Sequence, residues 1–141
     1  MSDIVKRRSV DLLIDQFWKN GYLTISRKFG TYLPEPKRMG GFEVDIVARY
    51  KKEYAIGITL NEVDLEDAGL KERIKFLATR QTKFTNKKVL LFVGIPLYLK
   101  KKFEHIISSL DGDIVKNIKV QVFSPEVKTI TRNRNERVLV N

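Results

Sequence analysis

The sequence predicts a single α/β domain, a mixed central sheet flanked by helices in the order α-β-β-β-α-β-α-β. Three observations predict it. The chain opens on a 3–4-residue apolar period; three short extended runs follow with no helix-length segment between them; and each of two later apolar runs is preceded by a helix-length amphipathic segment. A chain of 141 residues fits one domain, which at this size withdraws roughly 68–70% of its unfolded surface from water. Its 43% hydrophobic and 31% charged content is that of a globular protein.

Residues from about Ile4 to Asn20 place Val10, Leu13, Ile14, Phe17 and Trp18 at helical spacing, and Asn20-Gly21 supplies the stop. Tyr22 to Ser26 is the first strand. Gly30, Pro34, Pro36, Gly40 and Gly41 punctuate a loop, in which Gly40-Gly41 forms a tight turn or bulge entering the next strand. Phe42 to Arg49 and Tyr54 to Leu60 alternate around Lys51-Lys52-Glu53, the pattern of a hairpin. The acidic stretch Asn61 to Asp67 suits the first turn of a second helix, running to about Phe84 with Leu70, Ile74, Leu77 and Ala78 buried. Lys88 to Val93 is a continuous apolar run suited to a central strand covered on both faces. Leu99, Phe103, Ile106 and Leu110 share one face of a third helix, and Asp111-Gly112-Asp113 turns into a last strand, Ile118 to Phe123. A helix between the third and fourth strands implies a parallel crossover. The domain therefore spans 1–123, followed by a basic C-terminal extension, 124–141, either a flexible tail or one ending in a strand at Val138-Leu139-Val140.

Twenty-seven Lys and Arg against seventeen Asp and Glu give a net charge of +10, which favours a polyanionic partner, nucleic acid before an acidic membrane. The absence of cysteine excludes disulfides, thiol nucleophiles and Cys metal sites, and the single histidine, His105, excludes two-histidine metal sites within one chain. His105 reads as a helix-flank residue beside apolar neighbours. No apolar run approaches the roughly 20 residues needed to span a bilayer, and the N-terminus lacks a secretory apolar core, so a cytoplasmic location is expected.

The element order, with Gly41-Phe42-Glu43-Val44-Asp45-Ile46-Val47-Ala48-Arg49 in the hairpin, resembles the PD-(D/E)XK superfamily, the restriction-endonuclease-like fold, and is similar to the archaeal Holliday-junction resolvases. The resemblance spans Ile4 to Phe123. It implies that Asp45 is the metal-binding aspartate, that Mg²⁺ or Mn²⁺ is the cofactor of an active member, and that the partner is branched DNA engaged by a homodimer. The family's acid-x-lysine motif falls on Gly57 and Thr59, neither of which can do that chemistry, and its first-helix glutamate falls near Ser9, with Asp11 the closest carboxylate. A relocated site would draw on Asp45 with Glu43, two residues apart on one strand face, or with Glu62 just past the third strand; Lys52 or Lys71 would replace the lost amine.

Charge is segregated along the chain. Arg80 to Lys102 holds seven Lys and Arg and no acid, Arg27 to Lys52 seven against three acids, whereas Asn61 to Thr79 is net acidic. Candidate nucleic-acid contacts are Arg27, Lys28, Lys37, Arg38 and Arg49 around the glycine-rich loop, Arg80, Lys83, Lys100 and Lys101 around the fourth strand, and Arg132 and Arg134 in the extension. No sequence-reading motif accompanies them, so backbone or shape recognition is expected. Three functions compete: a nucleic-acid-binding protein with a degenerate or relocated metal site; a Mg²⁺-dependent endonuclease using Asp45 with Glu43 or Glu62; and a protein-interaction module with a basic surface.

Overall fold

The computed structural model describes residues 3–124. The fold opens with helix α1, Asp3–Lys19, whose residues Val10, Leu13 and Phe17 are fully buried. Trp18, expected on the same stripe, is 67% exposed and Ile14 only partly buried, because the buried strip is one side chain wide. The expected stop is a Schellman motif: Gly21 takes φ +87°, its N–H donates to Trp18 O, and the Tyr22 N–H donates to Phe17 O at 2.9 Å.

Strands β1 (Leu23–Arg27), β2 (Ile46–Tyr50) and β3 (Glu53–Thr59) form an antiparallel meander, and β3 is then joined in parallel by β4 (Leu90–Pro96) and β5 (Ile118–Phe123). The sheet order is β1-β2-β3-β4-β5. Between β1 and β2 the chain reverses at Gly40 (φ +59°) and Gly41 (φ +84°), flanked by paired Met39 and Phe42, a two-residue turn that needs positive φ at both central positions. A Cβ on Gly40 would also lie 2.3 Å from the Phe76 ring. The strand beyond this turn is shorter than its alternation suggests. Val44 packs into one core and Ile46 into the opposite one, so regular pairing starts only at Ile46.

Two crossovers complete the sheet. The first was expected as one helix to Phe84 and is two: α2 (Glu62–Glu66) and α3 (Leu70–Ala78). Asn61 caps α2 in a reciprocal box with Asp64, and the helix ends where Asp67 turns extended (ψ 124°) and its carboxylate accepts the Gly69 N–H at 2.8 Å. α3 ends at Ala78, where Thr79 Oγ1 bonds back to Lys75 O and Phe76 O and takes up carbonyls of the last turn, after which Arg80 O accepts from Val89 N and residues 81–88 close a loop. In the second crossover the third helix begins with a 3₁₀ turn, Leu97–Leu99, continues as α4 (Lys100–Ile107), and is followed by an unforeseen α5 (Gly112–Lys116). There the Asp111 carbonyl accepts from both Ile114 and Val115, whose side chains pack against the core.

α1 covers one face, where Leu13, Phe17, Ile46, Ala48 and Phe92 pack together with Phe17 and Phe92 ring centroids 4.5 Å apart. α3, α4 and α5 cover the other, over Ile56, Ile58, Leu91, Val93 and Ile95. β4 contributes to both cores, as its unbroken apolar run requires. Buried Asn117 ties the crossovers together, donating to Ala78 O and Val89 O at 2.8 Å each. The expected strand at Val138-Leu139-Val140 lies outside the described residues.

Candidate functional site

Because β2 runs antiparallel to β3, the start of β2 and the end of β3 meet at the same edge, the carboxyl end of the parallel strands. In open α/β sheets this is the end where ligands bind. Asp45 sits there, its backbone N–H donating to Gly57 O at 2.9 Å and its carbonyl accepting from Lys28 N at 2.9 Å. Its side chain is 1% exposed.

Three bonds converge on one carboxylate oxygen. Asp45 Oδ2 accepts from the Thr59 N–H at 2.7 Å, from Thr59 Oγ1 at 2.9 Å and from Lys6 Nζ at 2.9 Å. Lys6 also donates to Thr59 Oγ1 at 2.6 Å and Thr59 O at 3.0 Å, so all three ammonium donors are spent inside this triangle. The other oxygen, Asp45 Oδ1, is buried with no hydrogen-bond partner; Lys28 Nζ stands 3.9 Å from it, beyond hydrogen-bonding distance.

Glu43 lies at the mouth of this site, its side chain half exposed. It is held by Lys28 and by Arg38 Nη1 at 3.2 Å, and the Lys28 bond, followed by that cation's charge, lowers the Glu43 pKa below its ordinary value. Arg73 on α3 reaches the Glu43 carbonyl at 3.1 Å. Lys28 thus spans Glu43 and Asp45, and the cations about these two carboxylates outnumber them. Glu62, exposed in the first turn of α2, accepts from Tyr98 Oη at 2.9 Å, a bond that raises the tyrosine pKa. Among the described residues no group of three or more His, Asp or Glu gathers closely enough to hold a metal ion. One ammonium on Asp45 Oδ2 and a second between the carboxylates are a donor set that does not fit Mg²⁺ or Mn²⁺, which take several oxygens, mostly carboxylate and water.

The two motif positions of the third strand differ in kind. Thr59 belongs to the Asp45 triangle, whereas Gly57 lies under α1, where a Cβ would sit 2.8 Å from the Phe17 ring and 3.0 Å from Leu13. An acid at Gly57 would have to displace these packed side chains and bury its charge among them. The amine beside Asp45 comes from α1 as Lys6, which the sequence reading did not single out; its signal was its phase, four residues before Val10 on the buried strip. Lys71 is exposed on α3, and Lys52 lies in the β2–β3 turn at the opposite end of the sheet.

The basic residues divide between the two ends. Lys28, Arg38 and the start of α4, with Lys100, Lys101 and Lys102, lie at the Asp45 end; Lys102 pairs with Glu66 and Lys100 lies 4.0 Å from Glu104. Arg27 pairs with Asp11 at 2.6 Å, and Lys37 is exposed in the loop before β2. Arg49, Arg80 and Lys83 lie at the far end, so the acid-free run Arg80 to Lys102 wraps β4 and delivers charge to both. Arg132 and Arg134 lie outside the described residues. His105 is exposed on α4.

No family model matches the chain and no curated protein matches it. Among solved structures it is similar to an XisH family protein from Nostoc punctiforme, with a TM-score of 0.40 and 20% identity over 88% of this chain and 94% of that one. No helix among the described residues is long and apolar enough to cross a membrane.

Proposed function

We propose that this protein binds nucleic acid, DNA foremost, by its phosphate backbone and shape, and that Asp45 serves as a structural anchor rather than a metal ligand. The observation that supports this most directly is the charge balance about Asp45. A phosphodiester-cleaving site needs carboxylates in excess to hold its cations, whereas here Lys6, Lys28 and Arg38 surround two carboxylates, and Asp45 is closed by Lys6 and Thr59. A cationic end of this kind attracts phosphate, as does the exposed Lys101 beside it. The sequence resemblance to the restriction-endonuclease-like fold agrees with a DNA partner, and a homodimer on branched DNA remains the arrangement that resemblance would imply.

The test is a gel shift of the full chain on duplex, single-stranded and four-way-junction DNA, repeated with incubation in Mg²⁺ or Mn²⁺. The proposal expects salt-sensitive shifts and intact substrates. Cleavage that disappears in Asp45→Ala would overturn the anchor role and establish the endonuclease reading. No shift on any substrate would overturn nucleic-acid binding and leave the basic surface for a protein partner.

A further inference from the structure

The far end of the sheet carries a second feature that the Asp45 end does not explain. A groove of about 520 Å³ opens between the β2–β3 hairpin and the 81–88 loop, within the roughly 300–1,000 Å³ of small-ligand clefts. Its floor is apolar, formed by Val47, Ile56 and Val89 with the half-buried Tyr54. Its rim is Arg49, Lys52, Arg80 and Lys83, and no acid lines it.

Two of the lining guanidiniums already lie over aromatic rings, Arg80 over Phe76 behind the groove and Arg49 over Tyr54 within it. Arg80 lies 3.6 Å over the Phe76 ring, its Nε bonded to Phe76 O, and Arg49 lies 5.9 Å over Tyr54, its Nε bonded to Lys51 O. Beside them Phe84 is 96% exposed. It stands on an internally bonded loop, where Thr82 N donates to Lys87 O at 2.9 Å and Asn86 N to Thr82 O at 3.0 Å. A large apolar ring presented to water on an ordered loop stabilises nothing in the isolated fold, and beside a cation-rimmed groove it is placed to stack.

We infer that this groove takes an unpaired nucleobase of a single-stranded segment, with Phe84 and Tyr54 as stacking surfaces and Arg49, Lys52, Arg80 and Lys83 holding the flanking phosphates. An apolar floor alone would suit many partners; the acid-free cationic rim selects a polyanion, and the rings of Tyr54 and exposed Phe84 select one that carries π-faces. Thr59, at the Asp45 end, is five residues along β3 from Tyr54, about 17 Å at strand rise, so a strand leaving the groove can reach the Lys28 end within a few nucleotides. The inference rests on the nucleic-acid reading above and adds to it a base-stacking site with a preference for unpaired DNA.

The test is fluorescence anisotropy of the full chain with a thymidine oligomer of about 15 nucleotides, within the usual range for single-strand sites, with the same oligomer made abasic, and with a blunt duplex. Phe84→Ala should weaken the thymidine oligomer roughly 5- to 100-fold, the loss typical of a stacked base, and leave the duplex and the abasic strand within about twofold. Phe84→Trp should retain binding, and since Phe84 supports no core contact, its variants should melt as the parent does. Equal affinity for the thymidine and abasic strands, or equal effects of Phe84→Ala on strand and duplex, would overturn the groove assignment while leaving backbone binding standing. No binding to any DNA would overturn both. Binding of a polyglutamate peptide that depends on Phe84, with none of the thymidine oligomer, would assign the groove to an acidic protein instead.

Discussion

Replacing Lys6 with methionine keeps the aliphatic stem and removes the ammonium, which isolates what the charge contributes beside Asp45. At 2.9 Å and an effective dielectric of about 20, the gross attraction is about 6 kcal/mol, much of it offset by desolvation. Removing one member of a buried pair typically costs about 3–5 kcal/mol, because the other charge is stranded. Two features reduce that figure here: Lys6 keeps 22% of its side-chain surface exposed, so water can enter, and Lys28 stands 3.9 Å from the free Asp45 oxygen. We expect a loss of about 2–4 kcal/mol, read as a fall of roughly 1–2 M in the urea midpoint. In an Asp45→Asn background the same substitution removes an ammonium that has already lost its carboxylate and strands no charge of its own, so it should cost under about 1 kcal/mol, and the double-mutant cycle should show strong coupling. Lys6→Met within about 0.5 kcal/mol of the parent, or equally costly in both backgrounds, would refute the anchoring role.

Other perturbations check the fold that positions the site. Gly57→Ala should destabilise by about 1–3 kcal/mol in urea melts, since its Cβ would press on Phe17 and Leu13 in a close-packed core; a neutral outcome would show that α1 yields and that the packing at Gly57 is looser than this. Leu91→Ala should cost about 2–5 kcal/mol, because Leu91 is fully buried in β4 and its loss leaves a cavity; a neutral melt would contradict the central placement of that strand. Tyr22 is held above its ordinary pKa of 10.0 first by burial and then by the charges of Glu53 and Tyr50. The folded state therefore keeps this proton where the unfolded chain releases it, so the group's contribution is intact below about pH 10 and falls as pH rises further. Urea melts across the alkaline range should show that decline flattened in Tyr22→Phe, and an unchanged decline would assign it elsewhere.

Most of the fold was legible because it follows from local period. Val10, Leu13 and Phe17 mark α1, and the unbroken apolar run of β4 marks a strand covered on both faces. What escaped were breaks made by hydrogen bonds rather than by hydrophobicity: the Asp67–Gly69 turn that divides the second helix, and the Asp111 carbonyl that starts α5. Asp45 stood out by its resemblance to a family motif, but its partner Lys6 is 39 residues away in sequence and meets it only because α1 packs across the sheet. A lysine in phase with a buried strip was the available sign. Charge counted along the chain placed the run Arg80 to Lys102 around the fourth strand but did not show which end of the sheet each cation reaches; β4 sends Arg80 and Lys83 to one end and Lys100 to Lys102 to the other.

The salt dependence of DNA binding tests the account most directly. For the full chain on a duplex between about 50 and 200 mM salt, log K should fall linearly with log salt, by roughly 0.9 for each phosphate neutralised. Lys100, Lys101 and Lys102 changed together to glutamine should flatten that slope by about 1 or more without unfolding the protein. Affinity that does not change with salt, or no binding at the lowest salt, would contradict the claim that this basic surface holds a phosphate backbone.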